Sequence, residues 1–429
     1  MYDVNYPYIK LFAHLTRYRL FPARLVTCLL AFAFILSAYP QRQSDSLVVD
    51  ALQKLDVPFF KGNEVHLLPN GQTFFDDLFH YISRAERYVH IEFYKFYNDS
   101  IGNATLDLLR QKAKEGVEVK ILIDGQGNHR RTENFTKEDM QRLRAEGIMM
   151  YEFAPFVFPY IHRAYHRDHR KIVTIDGHTA YIGGMNIADY YLHGKPEVGD
   201  WVDMHIRMHG SCVAEYERLF AQMWEKVTGE QMHAADYAGP DKSGDDILMG
   251  VVARFPGKRS GLMRKAYAAA IDQAEECVQI VNAYPVLTRT VRRALYRALA
   301  RGVRVELMLS ANNDQQLTPN VTAIQMKKLM DKGAHIYYYE GGFHHAKSMM
   351  VDGIYCTTGS ANLDARSLMF DYEINAFMFD KGITNRLQDV YEFDKRSRCT
   401  LLTPENFKER FTMRQRVQGR VFSFLKGFL

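Results

Sequence analysis

HRKIVTID at residues 169–176 and HAKSMMVD at residues 345–352 are two copies of one pattern. Each has a histidine, a lysine two positions on and an aspartate five further: His169, Lys171 and Asp176, then His345, Lys347 and Asp352. Both copies are followed at identical spacings by a small-residue turn and an asparagine, GGMN ending at Asn186 and GSAN ending at Asn362. A single copy carries little weight. Two copies with the same downstream punctuation indicate an internal duplication, and duplicated halves commonly meet around a shared site.

The flanking sequence repeats in the same order. Val89–Phe96 (VHIEFYKF) is rich in β-branched and aromatic residues and reads as a strand. Thr105–Glu115 has helical periodicity and stops at Gly116, and Val117–Ile123 reads as a buried strand. The second half gives Cys277–Asn282 as strand, Arg292–Arg301 as helix, Gly302 as its stop and Val303–Leu309 as strand. EGVEVKILID and RGVRVELMLS align as repeat partners, as do EGIMMYEF and KGAHIYYYE. Strand–helix–strand order predicts layered α/β domains with buried sheets. The turn-forming stretch Ala238–Asp246 marks the join. The expected division is 1–45 as a membrane anchor or signal anchor, 46–240 and 241–410 as the repeated domains, and 411–429 as a basic tail.

Two histidines and two lysines supply what phosphodiester transfer requires: a nucleophile, an acid for the leaving alkoxide and cations for the phosphoryl oxygens. An imidazole titrates near pH ~6.5, so one ring can attack while the other donates a proton. Histidine and lysine two apart share one face of a strand. Asn186, Asn362 and Ser360 are candidates for hydrogen bonds to the phosphate oxygens. Asp176 and Asp352 complete the catalytic motifs, but their odd spacing from the histidines and the glycine after each favour a part at the strand end. The repeat also aligns WVDMHIRMH with DYEINAFMF, which pairs Asp203 with Glu373 as carboxylates to orient the imidazoles. His162, His166 and His169 have helical metal-site spacing, but His169 belongs to the stronger motif and no metal is expected. GQGNHR after Asp124 lacks the glycines and lysine of a phosphate loop and reads as a turn.

These motifs resemble the phospholipase D superfamily signature, HxKxxxxD followed by GSxxN. HRKIVTIDGHTAYIGGMNIADYY with WVDMHIRM, and GSANLDARSL after the second motif, look like the bacterial cardiolipin synthases over about residues 60–405. Gly184, standing where the second half has Ser360, fits that subfamily, and Glu92 matches its pattern as a supporting residue behind the site. The resemblance implies two tandem α/β/α sandwich domains related by a pseudo-two-fold, a phosphohistidine intermediate and no cofactor. It implies phosphatidyl transfer between two phosphatidylglycerol molecules, giving cardiolipin and glycerol at the bacterial inner membrane. Its rivals are a phospholipase D hydrolase, a transferase to another alcohol and a nuclease of the superfamily.

The rest of the chain bears on those rivals. With 47% hydrophobic and 24% charged residues the 429-residue chain is globular, and a net charge of +5 does not call for nucleic acid. The five cysteines form no CxxC pair, so neither a disulfide framework nor a zinc ribbon is expected. Leu25–Tyr39 is apolar, follows three arginines, and reaches ~22 Å as a helix, short of a ~30 Å hydrocarbon core. It is read as a retained anchor. Val417, Val421, Phe424 and Phe428 with Arg414, Arg416, Arg420 and Lys426 suggest an interfacial helix on anionic lipid. The aromatic run Tyr151–Tyr160 suits either the core or a lipid-facing entrance. Oligomeric state is not legible.

Overall fold

The computed structural model describes residues 41–129, 133–155, 165–239, 245–257, 261–315 and 318–423, with the side chains of 41–44 excepted. The apolar run Leu25–Tyr39 lies outside them, as do His162, residues 156–160 of the aromatic run and residues 424–429 of the tail. Among the described residues no helix is long and apolar enough to cross a membrane. Val48–Leu429 forms one compact unit.

The strands of the first half are β1 (Phe59–Leu68), β2 (Tyr88–Phe93), β3 (Glu118–Asp124), β4 (Ile148–Phe153), β5 (Lys171–Ile175), β6 (Thr179–Gly183), β7 (Trp201–Val202) and β8 (His205–Gly210). Those of the second are β9 (Ile247–Arg254), β10 (Cys277–Asn282), β11 (Arg304–Ser310), β12 (His335–Tyr339), β13 (Phe343–His344), β14 (Lys347–Val351), β15 (Tyr355–Gly359), β16 (Glu373–Phe379) and β17 (Cys399–Leu401). Fifteen of them form one sheet in the order β17-β12-β11-β10-β14-β15-β16-β9-β1-β8-β6-β5-β2-β3-β4. Outward from the antiparallel β1–β9 pair, both halves give the same list. β8, β6, β5, β2, β3 and β4 match β16, β15, β14, β10, β11 and β12, and β17 is an extra edge strand. The two halves are thus one continuous sheet rather than two separate sheets in contact.

Local sequence explains the repeated unit. Every residue of β2 and of β10 is buried, as expected for parallel strands covered on both faces. β2–β3–β4 and β10–β11–β12 are the parallel parts. The helix after β2, Ser100–Lys114, starts where the Asp99 side chain accepts from the Gly102 amide. It and its counterpart Arg289–Ala300 stop before Gly116 and Gly302, whose φ of 92° and 87° suits glycine. The described part of the aromatic run packs inward: Tyr151 meets Trp224 edge-on at 5.4 Å and Phe153 meets Tyr372 at 5.6 Å.

Two short crossings tie the halves together above the sheet. β7 pairs in parallel with β13, matching Val202 to His344. Asp168 makes the equivalent parallel bridge to Tyr372. These crossings immediately precede Asp203, His345, His169 and Glu373, so they set the positions of all four.

Candidate active site

His169 and His345 lie two residues before Lys171 and Lys347, which open β5 and β14. Their backbones are anchored by the opposite half: the His169 amide donates to Tyr372 O at 3.0 Å, and the His345 amide to Val202 O at 2.6 Å. The next residue in each anchoring segment is the carboxylate. His169 Nδ1 donates to Glu373 Oε1 at 2.9 Å, and His345 Nδ1 to Asp203 Oδ2 at 2.6 Å. Each half therefore lends the other the carboxylate that orients its imidazole. Such a bond fixes the tautomer and leaves Nε2 as the reactive nitrogen. Glu373 and Asp203 are fully buried, whereas the side chains of His169 and His345 keep 16% and 9% exposure toward solvent.

The lysines complete the cluster. Lys171 Nζ donates to His169 O at 2.6 Å, and Lys347 Nζ donates to His345 O. Lys347 Nζ also lies 2.7 Å from His345 Nδ1. That nitrogen has one proton or one lone pair, not both, so it cannot bond both Asp203 and Lys347. The bond to Asp203 is the one that holds, because Lys347 already has the carbonyl and an ion pair with Asp203 at 3.9 Å. Burial and the charge of Lys347 bring Lys171 down to about 7, against the pull of Glu373. Burial brings Lys347 down to about 8, against the pull of Asp203 and Glu373.

The histidines are poised as neutral bases before substrate arrives. Burial, then Lys171 and Lys347, hold His169 well below its ordinary value, with Arg366 and Lys95 adding to the effect. Burial and Lys347 push His345 down to about 3, while Asp203 pulls the other way. A bound phosphodiester anion reverses these fields and favours protonation of one ring. The two carboxylates differ. Burial pushes Glu373 up to about 7 despite Lys171. Burial would also raise Asp203, but Lys347 and His345 outweigh it and hold that carboxyl below its ordinary range.

Several other expected site residues are placed elsewhere in the network. Asp176 and Asp352, the last members of the motifs, sit at the far ends of β5 and β14 from the lysines, each with a φ of 54°. Asp176 accepts from the amides of Glu86, Arg87 and Tyr88, and Asp352 from those of Glu275, Glu276 and Cys277. A carboxylate holding three backbone amides pins the start of β2 or β10. The buried hydroxyl of Ser360 donates to Glu373 Oε2. At the matching position, a Cβ on Gly184 would lie 2.1 Å from Asp203 Oδ1. Asp203 thus occupies the space a serine would need, which explains the glycine.

Asn186 donates to Tyr191 Oη at 3.1 Å, and its Oδ1 accepts from the Lys95 amide at 3.1 Å, so it positions backbone. Asn362, its counterpart, is buried with no hydrogen-bond partner at Oδ1. Glu92 lies 2.6 Å from Arg170 Nε, both fully buried. It pairs across the sheet with Ile172, on the opposite face from His169 and Lys171, and braces the strand from behind. His166 Nδ1 donates to Phe370 O at 2.8 Å. Among the described residues no group of three or more His, Cys, Asp or Glu side chains is placed to hold a metal ion. The stretch after Asp124 is a one-turn helix, Gly125–Asn128, and not an open turn.

Sequence reading missed Tyr94, Lys95 and Arg366. Tyr94 lies 4.9 Å from the His169 ring, and Lys171 Nζ is 5.5 Å from the centre of the Tyr94 ring. Arg366 pairs with Asp371 at 2.8 Å and reaches Gln126 at 3.3 Å. The available signal was position: Tyr94 and Lys95 follow the carboxyl end of β2, where α/β sheets bind ligands. The His345 side differs, its ring lying 5.4 Å from Trp201 and 5.9 Å from Tyr284.

Two halves that exchange carboxylates around paired histidines and lysines define a protein of the phospholipase D class. The chain matches the family described as cardiolipin synthase, PLD-like domain, over residues 78–224 and 267–395. It is 31% identical over 350 residues to the probable cardiolipin synthase YwiE of Bacillus subtilis, covering 81% of this chain and 69% of that one. It is also 31% identical over 365 residues to the cardiolipin synthase of Oceanobacillus iheyensis, covering 85% and 75%. The solved phosphatidylserine synthase of Haemophilus influenzae shares the fold, with a TM-score of 0.68 at 16% identity over 89% of this chain and 99% of that one. The chain belongs to the cardiolipin synthase family of PLD-like enzymes.

Proposed function

We propose that this phosphatidyltransferase joins two phosphatidylglycerol molecules into cardiolipin and releases glycerol. The reading rests on one observation above others: in each of the two HxK segments the imidazole is aligned by a carboxylate from the opposite half. His169, the more open ring, attacks the donor phosphorus through Nε2. The bond from phosphorus to the headgroup glycerol breaks, and His345 gives its proton to the departing oxygen. The phosphatidyl group is then held on His169. The primary hydroxyl of a second phosphatidylglycerol attacks that phosphorus, His345 takes its proton, and the bond from phosphorus to nitrogen breaks. Lys171 and Lys347 balance the charge that grows on the phosphoryl oxygens.

The substrates are lipids, so the reading includes association with the bacterial cell membrane. The tail supports it in part. Helix Met413–Phe422 packs on helix Thr318–Met330 at Gly419, where a Cβ would lie 2.1 Å from Asn320 O. Its other side leaves Met413, Val417 and Val421 exposed at 69%, 45% and 55%. One helix thus rests on the body and presents an apolar stripe with Arg414 and Arg420 beside it, as an interfacial helix would.

The covalent step has a direct test. Enzyme mixed with phosphorus-labelled phosphatidylglycerol and quenched in alkali, where a phosphorus–nitrogen bond survives, should carry label, and His169→Ala should not. Label retained by His169→Ala would move the nucleophile elsewhere. Turnover should persist in EDTA; activity lost to chelator and restored by a divalent ion would overturn the metal-free route.

A further inference from the structure

A cleft of about 370 Å³, which shares Tyr94 with the surroundings of His169, is lined by Tyr94, Lys95, Gln126, Lys195, Glu197 and Asp314, among others. The steps above use none of them. Lys95 lies on the His169 side and contributes to the field at that ring. Lys195 lies on the His345 side, its Nζ 4.5 Å from the centre of Trp201, which in turn lies 5.4 Å from His345. The cleft therefore carries two ammonium groups, Lys95 toward the His169 side and Lys195 toward the Trp201 side.

The duplication makes this placement informative. β2 pairs Phe93 with Lys171, and β10 pairs Asn282 with Lys347, so Lys95 corresponds to Tyr284. Arg366, four residues after Asn362, corresponds to Tyr190, four after Asn186. The HxK segments are symmetric, but the cations around them are not.

A reaction between two copies of one lipid needs such asymmetry. One copy reacts at its phosphate and the other at its hydroxyl. The acceptor also carries a phosphodiester, one glycerol away from the hydroxyl that attacks. Water or a simple alcohol brings no second anion. Without a second cationic position, the acceptor phosphate would meet the donor phosphate in a low-dielectric cleft, where like charges repel strongly.

We propose that Lys95 and Lys195 form the subsite for the acceptor lipid's phosphate, distinct from the donor phosphate at Lys171 and Lys347. The inference rests on the functional reading above. The exposed carboxylate of Asp314, which accepts from the Tyr284 hydroxyl, then faces the acceptor's glycerol. A cleft of this volume holds a glycerophosphate group. Lys195 Nζ lies 4.1 Å from the centre of the Tyr190 ring, whose bulk limits where the ammonium can go.

The test compares two reactions of the full chain in detergent micelles. One is cardiolipin formation from phosphatidylglycerol. The other is exchange of labelled glycerol into phosphatidylglycerol, whose acceptor has no charge. Lys95→Met and Lys195→Met should each lower the ratio of cardiolipin formation to glycerol exchange at least tenfold, with KM for the acceptor rising, and Lys195→Arg should restore most of it. An unchanged ratio, with both rates held or both reduced together, overturns the subsite. Wild-type enzyme gives a second measurement that folding of a variant cannot confuse. Glycerol 3-phosphate should inhibit cardiolipin formation several-fold more than glycerol exchange, and equal inhibition contradicts the proposal. Wild-type enzyme that exchanges glycerol but makes no cardiolipin would instead overturn the functional reading, and the need for an acceptor-phosphate subsite with it.

Discussion

Asp203 in the first half holds His345 in the second, Oδ2 to Nδ1 at 2.6 Å, across 142 positions of sequence. Glu373 returns the arrangement to His169 at 2.9 Å. Neither His169 nor His345 takes its carboxylate from its own half, so the site exists only when both halves are folded on the shared sheet.

That exchange sets the first expectation. Asp203→Asn and Glu373→Gln keep size but invite the wrong imidazole tautomer, so kcat should fall by roughly 10²- to 10⁴-fold. KM should change little. Steady-state kinetics beside a melting curve checks this, and a loss below tenfold in a folded variant would show that the carboxylates do not set the tautomer.

Gly184 and Ser360 should behave as opposites. Gly184→Ser places a Cβ against Asp203 Oδ1, so the carboxylate must move and His345 loses its alignment. Ser360→Gly leaves one oxygen of buried Glu373 without its donor, a cost of about 1–3 kcal/mol. Turnover should fall in both, more in Gly184→Ser. A fully active Gly184→Ser enzyme would show that Asp203 has room the structure does not give it.

Asp352 should matter to stability. Removing its carboxylate leaves three backbone amides without an acceptor, so Asp352→Ala should cost about 2 kcal/mol or more. Asp352→Asn should cost less, because asparagine tolerates the 54° φ and keeps one acceptor oxygen. Denaturant unfolding measures both. If the two variants unfold alike while only turnover falls, the residue is acting in the chemistry.

The lysines give a pH dependence. Lys171 and Lys347, at about 7 and about 8 in the folded protein, sit below an ordinary lysine. Between those values and about 10.4 the unfolded chain binds more protons than the folded one, so their contribution to stability rises with pH. Phosphate binding needs the ammonium forms and runs the other way. The gain in melting temperature from added inorganic phosphate should therefore shrink from pH 6.5 to pH 9.5. A constant gain across that range would mean that these two lysines do not hold the anion.

The duplication made much of the site legible. Matched spacings gave both histidines and both lysines, and aligning WVDMHIRMH with DYEINAFMF gave both carboxylates. Alignment states which residues are equivalent, not which half reaches across, so the exchange between Asp203 and Glu373 had no sequence signal. Ser360 looked like a phosphate ligand because its hydroxyl has no visible partner until β16 folds beside it. Composition reads β2 through to Phe96, but the strand ends at Phe93, and Phe96 makes an isolated bridge to Ile187 outside the sheet. That departure turns Tyr94 and Lys95 toward the cleft, and a lone lysine outside a motif carries no pattern to find it by.

The most direct measurement is the product balance of purified enzyme given phosphatidylglycerol alone, with lipid products and released glycerol quantified together. The account expects one cardiolipin per glycerol released, and neither product from His169→Ala or His345→Ala. Phosphatidic acid in place of cardiolipin, with the same glycerol release, would mean that water is the acceptor and would contradict the transfer mechanism.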